Sequence, residues 1–316
     1  MRGEGLKSRE ILVTGGAGFI GSHLVKGLVK RGYSVRVLDN FSTGSIENIE
    51  EVKDSIDLIE GDVRDYETVK RALQGAEAVV HLAALISVSE SIEKPDLYFE
   101  VNVRGTYNVS KAFEGNGELV FISSSAVYGD PLYIPIDEDH PLNPKSPYGA
   151  SKAAGEGFVK AFSELNGYRP IILRLFNVYG PGQSKAYAGV ITEFISRVSM
   201  GERPVIFGNG DQTRDFVHVS DVIEAIASAM EREKARGTYN IGSGREVRIN
   251  DLARLVLKAF GKEEMSPIHA PPRAGDIRRS TANIKKAMED FGFQPRVELE
   301  KGIEDLVNRL EKTRGR

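Results

Sequence analysis

The chain has 316 residues, of which 41% are hydrophobic and 8% aromatic, and its formal net charge is −3. This length predicts one large α/β unit with a second lobe, and the charge offers no electrostatic footprint for nucleic acid or an anionic membrane. The lack of cysteine removes disulfides and thiolate chemistry, and the five histidines show no metal-ligand spacing. With no apolar run long enough to span a membrane and no signal-peptide core, we expect a soluble cytoplasmic protein.

Short apolar runs alternate with amphipathic stretches through the first half of the chain. The runs predict strands and the stretches between them predict helices. This alternation builds a parallel sheet with helices on both faces and right-handed crossovers, a Rossmann-type doubly wound α/β fold. The predicted strands span residues 11–14, 34–38, 56–59, 78–82, 119–123 and 170–175, and the predicted helices span residues 23–31, 66–73, 96–113 and 147–165.

A Gly/Pro cluster at residues 179–182 predicts a turn where this regularity ends. Beyond it the pattern is mixed. We expect residues 1–178 to form the dinucleotide-binding domain, with segments from about 214–250 returning to it, and residues 179–316 to form mainly a smaller mixed α/β substrate-binding lobe (about 179–213 and 260–316). The predicted helices there span residues 191–200, 219–231, 250–260 and 301–311, with short segments at 204–207 and 215–219.

A glycine-rich turn lies between the first predicted strand and the first predicted helix. Gly15 permits a tight turn, Gly18 lets the backbone approach phosphates, and Gly21 lets the helix pack close to the strand. The start of the helix then offers free N–H groups and a favourable dipole to negative charge. The pattern therefore predicts a site for the pyrophosphate of a dinucleotide.

Asp39 ends the second predicted strand, eighteen residues after Gly21. In this position an acid hydrogen-bonds the adenosine ribose hydroxyls and repels a 2′-phosphate, which favours NAD over NADP. An aspartate that caps a turn before Asn40 is a compatible alternative that needs no ligand. Because strand ends face the ligand crevice, Asp62 is expected at the adenine and residues 82–84 on the path to the nicotinamide.

His81 also lies at a strand end, and we interpret it as a packed histidine rather than a functional one. Tyr148 and Lys152 form a Tyr-x-x-x-Lys pair, one helical turn apart on the same face. A tyrosine titrates near pH 10, but Lys152 and a positive nicotinamide ring would favour the phenolate and lower this pKa. Pro147 suits a helix start.

The fifth predicted strand ends in three serines, so a hydroxyl emerges at the crevice near the tyrosine. A Tyr-x-x-x-Lys pair by itself is most often a surface i,i+4 pair. After a glycine-rich dinucleotide turn and a serine-ended strand, the pair instead predicts redox chemistry on a nicotinamide cofactor.

These motifs together resemble an extended short-chain dehydrogenase/reductase, and within that group the UDP-glucose (UDP-galactose) 4-epimerase family. The resemblance extends from residue 10 to about residue 295. It is carried by TGGAGFIG at 14–21, DNFSTG at 39–44, SSSAVYG at 123–129, SPYGASK at 146–152, RLFNVYG at 174–180, TRDFVHV at 213–219 and RAGD at 273–276.

The resemblance implies that Tyr148 is the acid/base, that Lys152 holds the nicotinamide ribose and tunes Tyr148, and that Ser124 bonds the reacting hydroxyl. Ser124 lies three positions before the Val-Tyr-Gly triplet, where related enzymes carry the active hydroxyl. Ser125 stays an alternative, since either hydroxyl could lie within hydrogen-bond reach. The implied NAD contacts are Gly15, Gly18, Phe19, Ile20, Gly21, Asp39, Asn40, Phe41, Ser42, Thr43, Gly44, Asp62, Val63, Leu82, Ala83, Ala84, Ser123, Tyr148, Lys152 and Phe176.

For the substrate, the resemblance implies that Asn177 holds the diphosphate, that Phe207 lines the uracil site, and that Arg214 and Arg273 clamp phosphates. Arginines give planar forks that match phosphate oxygens. Each arginine could instead form a surface ion pair with a nearby aspartate, Asp215 or Asp276. The implied UDP-sugar contacts are Ser124, Tyr148, Asn177, Val190, Val205, Phe207, Arg214, Arg273, Asp276 and Ser280.

The implied reaction is C4 epimerisation of a UDP-hexose. The Tyr148 phenolate removes the proton of the 4-hydroxyl while the C4 hydride passes to tightly bound NAD, and the 4-keto sugar rotates before the hydride returns. Affinity must then come mainly from the nucleotide. Ser280 stands where a bulky aromatic can close the hexose pocket, so UDP-N-acetylhexosamines are expected substrates as well.

Three alternatives accompany this interpretation. A nucleotide-sugar dehydratase or decarboxylase needs a carboxylate beside the active hydroxyl, whereas Ser125 and Ala126 follow here. A UDP-glucuronate 4-epimerase uses the same core and stays open. The intact set of Ser124, Tyr148 and Lys152 argues against an idle dinucleotide-binding scaffold. Helices 96–113 and 147–165 resemble those of the family's four-helix dimer contact, so we expect a homodimer.

Overall fold

The computed structural model describes residues 9–183, 189–272 and 277–314. Its first half confirms the predicted alternation of strands and helices. The elements are β1 (Glu10–Thr14), α1 (Phe19–Lys30), β2 (Ser34–Asp39), β3 (Ile56–Glu60), α2 (Tyr66–Ala72), β4 (Ala78–His81), α3 (Val88–Glu93), α4 (Pro95–Tyr98), α5 (Gly105–Ala112), β5 (Glu118–Ser124), α6 (Pro147–Asn166) and β6 (Arg169–Leu175).

The second half contains shorter strands and the helices of the predicted mixed region. Its elements are β7 (Asn177–Tyr179), α7 (Val190–Ser199), β8 (Val205–Phe207), β9 (Thr213–Arg214), β10 (Phe216–His218), α8 (Val219–Glu231), β11 (Gly237–Ile241), β12 (Val247–Arg248), α9 (Ile249–Ala259), β13 (Ile268–Ala270), α10 (Lys285–Phe291) and α11 (Leu299–Arg314).

Within the described residues, seven parallel strands form one sheet in the order β3-β2-β1-β4-β5-β6-β11. This order confirms the predicted doubly wound fold. The chain moves outward from β1 on one side and from β4 on the other, so a crevice opens at their carboxyl ends. The seventh strand, β11, has no counterpart in the sequence prediction, and it pairs with β6 at one edge of the sheet.

The segment predicted as a single helix over residues 96–113 is helical in the structure, but it is divided into parts. The structure has α4, then a π-helical turn at Phe99–Arg104, then α5, and a separate α3 precedes them. The predicted helix at 23–31 begins earlier, at Phe19, because the glycine-rich turn leads directly into it. The predicted start of α6 is confirmed: Pro147 is its first residue, and the Ser146 hydroxyl accepts a hydrogen bond from the Gly149 N–H.

Both faces of the sheet are buried. Along β1, Val13 packs into the cluster on one face and Leu12 into the cluster on the other, because successive strand side chains point to opposite faces. A separate apolar cluster around Phe194, Leu252 and Ile303 lies in the C-terminal part of the chain. No helix in the described ranges has the length and apolar content needed to cross a membrane.

Candidate active site

The glycine-rich turn between β1 and α1 leaves no room for side chains. A Cβ atom on Gly15 would lie 2.7 Å from the Ala83 nitrogen, and one on Gly21 would lie 2.1 Å from the Gly15 oxygen. Gly15 has φ +71°, a left-handed conformation that favours glycine. Gly18 caps α1 without a side-chain hydrogen bond, so backbone alone faces a ligand there. This cradle fits the pyrophosphate of a dinucleotide.

Asp39 lies beside this turn at the end of β2. Its carboxylate accepts hydrogen bonds from the Ala17 N–H and the Phe41 N–H, both at 2.8 Å. It is therefore the turn cap that the sequence pattern allows, and it also braces the glycine-rich turn. Asp39 lines the cavity as well, so its expected contact with the adenosine ribose is compatible with its role as a turn cap and stays a prediction.

Asp62 follows β3 and faces the same end of the cavity. Asn40 donates to its carboxylate at 2.8 Å, and Arg64 pairs with it at 2.7 Å. The hydrogen bond from Arg64 is the main reason that the pKa of Asp62 falls to about 2. The carboxylates of Asp39 and Asp62 thus lie at the same end of the cavity, and negative charge there disfavours an additional phosphate.

A cavity of about 930 Å³ runs along the carboxyl ends of the sheet strands, which is where open α/β sheets bind ligands. It joins the glycine-rich turn to the Tyr-x-x-x-Lys pair, two motifs that lie far apart in the sequence. The predicted residues that line it are Gly15, Gly18, Phe19, Ile20, Gly21, Asp39, Asn40, Ser42, Thr43, Asp62, Val63, Leu82, Ala83, Ala84, Ser123, Ser124, Tyr148, Lys152, Phe176, Asn177, Val190, Arg214 and Ser280.

Other predicted residues do not line this cavity. Phe41 and Gly44 line a separate, more open cavity beside the glycine-rich turn. Val205 and Phe207 lie on β8, which pairs with β13, and neither belongs to the lining of the main cavity. The remaining two predicted residues, Arg273 and Asp276, lie outside the described residues.

Ser124 and Tyr148 meet at the other end of the cavity. Ser124 is the last residue of β5, and its hydroxyl accepts a hydrogen bond from the Ala126 N–H at 3.2 Å. The Ser124 side chain also acts to lower the pKa of Tyr148. Ser125 lines the cavity as well, so the choice of Ser124 as the active hydroxyl stays a prediction.

In this structure burial raises the pKa of Tyr148, and the Ser124 side chain only opposes that shift. The lowering expected from Lys152 together with a positive nicotinamide ring stays a prediction. Lys152 is also buried, which lowers its pKa to about 7, so its charge near neutral pH is incomplete. Its Nζ donates to the Ile122 carbonyl at 2.8 Å and lies 5.0 Å from the centre of the Phe121 ring. Spacing along a helix does not reveal this desolvation.

His81 confirms the expectation of a packed histidine. Its Nδ1 lies 2.7 Å from the Thr14 hydroxyl and its Nε2 lies 3.0 Å from the Thr106 hydroxyl. Thr106 donates its own proton to the Asn102 carbonyl, so Nε2 donates to Thr106 and Nδ1 accepts from Thr14. Burial lowers the pKa of His81 to about 3, which keeps the ring neutral.

Asn102 is a residue that the sequence analysis missed. Its side chain accepts from the Leu85 N–H at 2.8 Å and donates to the Leu85 carbonyl and to the Ser151 hydroxyl, both at 2.9 Å. Ser151 in turn donates to the Tyr148 carbonyl at 2.7 Å. Asn102 therefore ties the loop after β4 to the helix that carries Tyr148. The sequence gives one indication of this role, because Asn102 is a polar residue on the apolar face of a predicted helix.

Asn177 and Arg214, the residues predicted to contact the substrate phosphates, also line the cavity. Both the backbone and the side-chain amide of Asn177 donate to the Asp215 carbonyl. The buried Asp215 carboxylate accepts from the N–H groups of Ser243, Gly244 and Ala282. It therefore braces three backbone segments, and the alternative of an Arg214–Asp215 surface ion pair is wrong.

Comparison with known proteins agrees with this architecture. The model of the family described as GDP-mannose 4,6 dehydratase matches residues 12–306. A UDP-glucose 4-epimerase of Mycolicibacterium smegmatis is 38% identical over 303 residues, which cover 94% of this chain and 96% of that protein. Similarity also extends to a UDP-N-acetyl-α-D-glucosaminuronate decarboxylase of Bacillus cytotoxicus, at 33% identity over 95% of this chain and 97% of that protein.

Three solved structures share nearly the whole fold. UDP-glucose 4-epimerase of Thermotoga maritima, with UDP-glucose, has a TM-score of 0.91 at 37% identity, covering 96% of this chain and 99% of that one. UDP-N-acetylglucosamine 4-epimerase of Methanobrevibacter ruminantium, in complex with UDP-N-acetylmuramic acid, has a TM-score of 0.91 at 33% identity, covering 98% and 100%. Thermus thermophilus UDP-glucose 4-epimerase, in complex with NAD, has a TM-score of 0.85 at 39% identity, covering 96% and 99%.

The chain belongs to the extended short-chain dehydrogenase/reductase superfamily, in the family whose members include the UDP-glucose 4-epimerases. The resemblance inferred from the sequence motifs is thereby confirmed. The expectation of an isomerase-class enzyme, an epimerase, is confirmed by the same relatives.

Proposed function

We propose that the protein catalyses NAD-dependent C4 epimerisation of a UDP-hexose through a transient 4-keto sugar. The observation that carries the proposal is that Ser124, Tyr148 and Lys152 line one cavity, which is continuous with the glycine-rich turn. NAD-bound and UDP-sugar-bound relatives with the same fold support this choice of ligands.

The described residues fit the dinucleotide at both ends. The backbone of Gly15 and Gly18 would hold the pyrophosphate, Asp39 the adenosine ribose, and Lys152 the nicotinamide ribose. When bound, NAD accepts the C4 hydride and returns it, and its positive ring would lower the raised pKa of Tyr148.

The side chains of the chain itself perform the proton chemistry. Ser124 would orient the sugar 4-hydroxyl toward Tyr148, whose phenolate takes the hydroxyl proton as the hydride leaves C4. Tyr148 then returns the proton after the keto sugar has turned. Asn177 and Arg214 would hold the nucleotide diphosphate, so that the anchored half of the substrate supplies affinity while the hexose stays loose.

The distribution of acids argues against dehydration. Among the described residues that line the cavity, the carboxylates are Asp39 and Asp62, and both belong to the glycine-rich end. Ser125 and Ala126 follow the active hydroxyl, so no described acid is placed to remove a proton from C5. This arrangement favours epimerisation.

The cations of the cavity bear on UDP-glucuronate as an alternative substrate. Those in the described lining are Lys145, Lys152 and Arg214. Lys145 pairs with Asp130 at 3.5 Å, and Arg214 donates to the carbonyls of Thr213 and Ile277. Since Lys152 is assigned to the nicotinamide ribose, Arg214 to the diphosphate, and Lys145 already has an anionic partner, a neutral hexose is favoured over a sugar carboxylate.

The proposal is tested by incubating the purified protein with UDP-glucose, UDP-N-acetylglucosamine and UDP-glucuronate, without added NAD. We expect NMR to show inversion at C4 for the first two. A protein that carries NAD but converts none of the three would contradict the proposal. Inversion of UDP-glucuronate alone would establish the alternative instead.

Ser280 is proposed to set the size of accepted sugars. It is buried and lines the cavity, and its small side chain leaves room for an N-acetyl group. Ser280→Tyr should reduce kcat/KM for UDP-N-acetylglucosamine by about 100-fold, because overpacking costs about 1–3 kcal/mol. UDP-glucose turnover should stay within a few-fold. Ser280→Ala, which keeps the space, is the matched control, and equal losses for both sugars would contradict the role.

We also infer a homodimer that forms through α5 and α6. Tyr107 contacts Phe158 and Phe162 with ring centres 5.4 and 5.5 Å apart, and Phe99 and Leu165 are exposed apolar side chains of the same helical region. A second copy would cover this apolar face. Light scattering should give about twice the mass of 34.7 kDa, and a monomer at micromolar concentration would contradict the inference.

A further inference from the structure

One buried carboxylate beside the site has no part in the mechanism described so far. Glu156 is 1% exposed and lies one helical turn after Lys152 on α6. Arg174 donates to its two oxygens at 2.9 and 2.7 Å, and the Ser123 hydroxyl donates to it at 2.6 Å. Glu156 therefore connects α6 to β5, the strand that ends in the active hydroxyl, and to the neighbouring strand β6.

Arg174 also makes hydrogen bonds on its other side. Its Nη1 donates to the Tyr128 hydroxyl at 2.8 Å and to the Glu138 carbonyl at 3.1 Å. Tyr128 in turn donates to the Asn240 side chain at 2.7 Å. A buried ion pair of this kind is often no more stabilising than apolar residues of the same volume, so its presence here calls for a role beyond packing.

The surroundings of Lys152 indicate what that role is. The ammonium group has a carbonyl partner, Ile122, and an aromatic face, Phe121, but its site is desolvated. The titratable groups around it are Tyr148 and Glu156 on its own helix and His81 on β4, which is neutral, and the Arg174 cation lies on the other side of the Glu156 carboxylate. Of these described groups, Glu156 is the one that carries a negative charge toward the lysine.

We propose that Glu156 is a positioning residue that keeps Lys152 cationic in its buried site and holds the serine-ended strand against α6. The proposal rests on the proposed function, in which Lys152 holds the nicotinamide ribose and favours the Tyr148 phenolate.

The direction in which loss of the Glu156 charge moves the Lys152 pKa follows from the burial of the lysine and the opposite charge of the carboxylate. Burial lowers the pKa of Lys152 to about 7, and the Glu156 charge opposes that shift. Without the carboxylate the pKa falls further, and the ammonium is lost at a lower pH. At neutral pH the neutral amine then dominates, which removes the charge that favours a phenolate nearby.

The test is an NMR titration of protein that contains lysine labelled with ¹³C at Cε. The Lys152 resonance is the one missing in Lys152→Met. In Glu156→Gln its titration midpoint should fall by about one pH unit or more, the scale of a close opposite charge. The nucleotide content, measured after acid release, must match between the proteins compared.

Two further variants control for structural damage. Glu164→Gln makes the same charge change on the same helix at an exposed site, about 18 Å from Lys152 at 1.5 Å per residue, and should leave the midpoint unchanged. Glu156→Gln with Arg174→Gln removes both buried charges, so it avoids a stranded arginine. Because loss of the Arg174 cation by itself raises the midpoint, this double variant is compared with Arg174→Gln, and its midpoint should be the lower of the two. An unchanged midpoint in a folded Glu156 variant would overturn the proposal.

Turnover gives a second and separate readout. In wild-type enzyme the alkaline limb of kcat should follow the loss of the Lys152 charge, and in Glu156→Gln this limb should move to lower pH with KM little changed. A protein without epimerase activity would refute the proposed function, yet the NMR midpoint would still decide whether Glu156 sustains the lysine charge.

Discussion

At the glycine-rich end of the cavity the backbone forms the wall, whereas at the Tyr148 end the wall consists of side chains. A Cβ atom on Gly21 would lie 2.1 Å from a carbonyl oxygen, so the first end is defined by steric exclusion. At the second end, burial raises the pKa of Tyr148 and lowers that of Lys152 to about 7. At the glycine-rich turn the excluded Cβ positions meet backbone atoms, including those of Ala83 in the loop after β4, whereas the desolvation at the Tyr148 end depends on the whole surrounding fold. The first end therefore sets shape and the second sets reactivity.

The largest expected effect tests the Tyr148 end of the cavity. Tyr148→Phe should reduce kcat by about 10²- to 10⁴-fold, the usual contribution of a general acid/base, while bound NAD and the unfolding midpoint stay nearly unchanged. Turnover by NMR and acid release of the nucleotide measure the two properties. Tyr133→Phe, which changes an exposed tyrosine, is the control. Full activity in Tyr148→Phe would show that the base lies elsewhere.

The second-largest expected effect tests the glycine-rich end of the cavity. Gly21→Ala should destabilise the protein by about 1–3 kcal/mol, as overpacking does, and should lower the nucleotide content because the turn must shift. Gly157→Ala is the matched control, since a Cβ atom on Gly157 meets nothing within 4 Å and α6 should gain about 0.5–1 kcal/mol. Urea unfolding measures both. Equal stabilities of the two variants would mean that the turn adapts to a side chain.

The smallest effect concerns the ion pair between Asp62 and Arg64, at the end of the cavity that would hold the adenine. The Asp62 pKa is lowered to about 2 mainly by Arg64, so this contribution to stability is present above the unfolded value and is lost as pH falls toward 2. Arg64→Ala should cost less than about 1 kcal/mol at pH 7, because the pair is partly exposed. The difference from wild type should shrink at pH 3. Thermal unfolding at both pH values measures it, and a constant difference would assign the loss to packing.

The sequence predicted the fold well where local periodicity carries the signal. Apart from β11, the strands of the large sheet and the start of α6 lie where the apolar runs and the Ser-Pro cap indicate them. At residues 96–113 the sequence predicted a helical segment but not the π-helical turn within it, because that turn keeps the helical pattern while changing its register. The prediction also missed β11, whose pairing with β6 joins residues far apart in the sequence.

Within the site, the sequence by itself determined the glycine-rich turn, Asp39, and the pairing of Tyr148 with Lys152, because each is a spacing on one local element. Only the tertiary structure decided how Asn102 connects the loop after β4 to α6, how Asp215 braces the substrate wall, and how Glu156 faces Lys152. These contacts join segments far apart in the chain, or depend on the solvent that packing removes. Burial and facing charges arise only when the strands and helices assemble, so the charge states of the reacting groups belong to the fold.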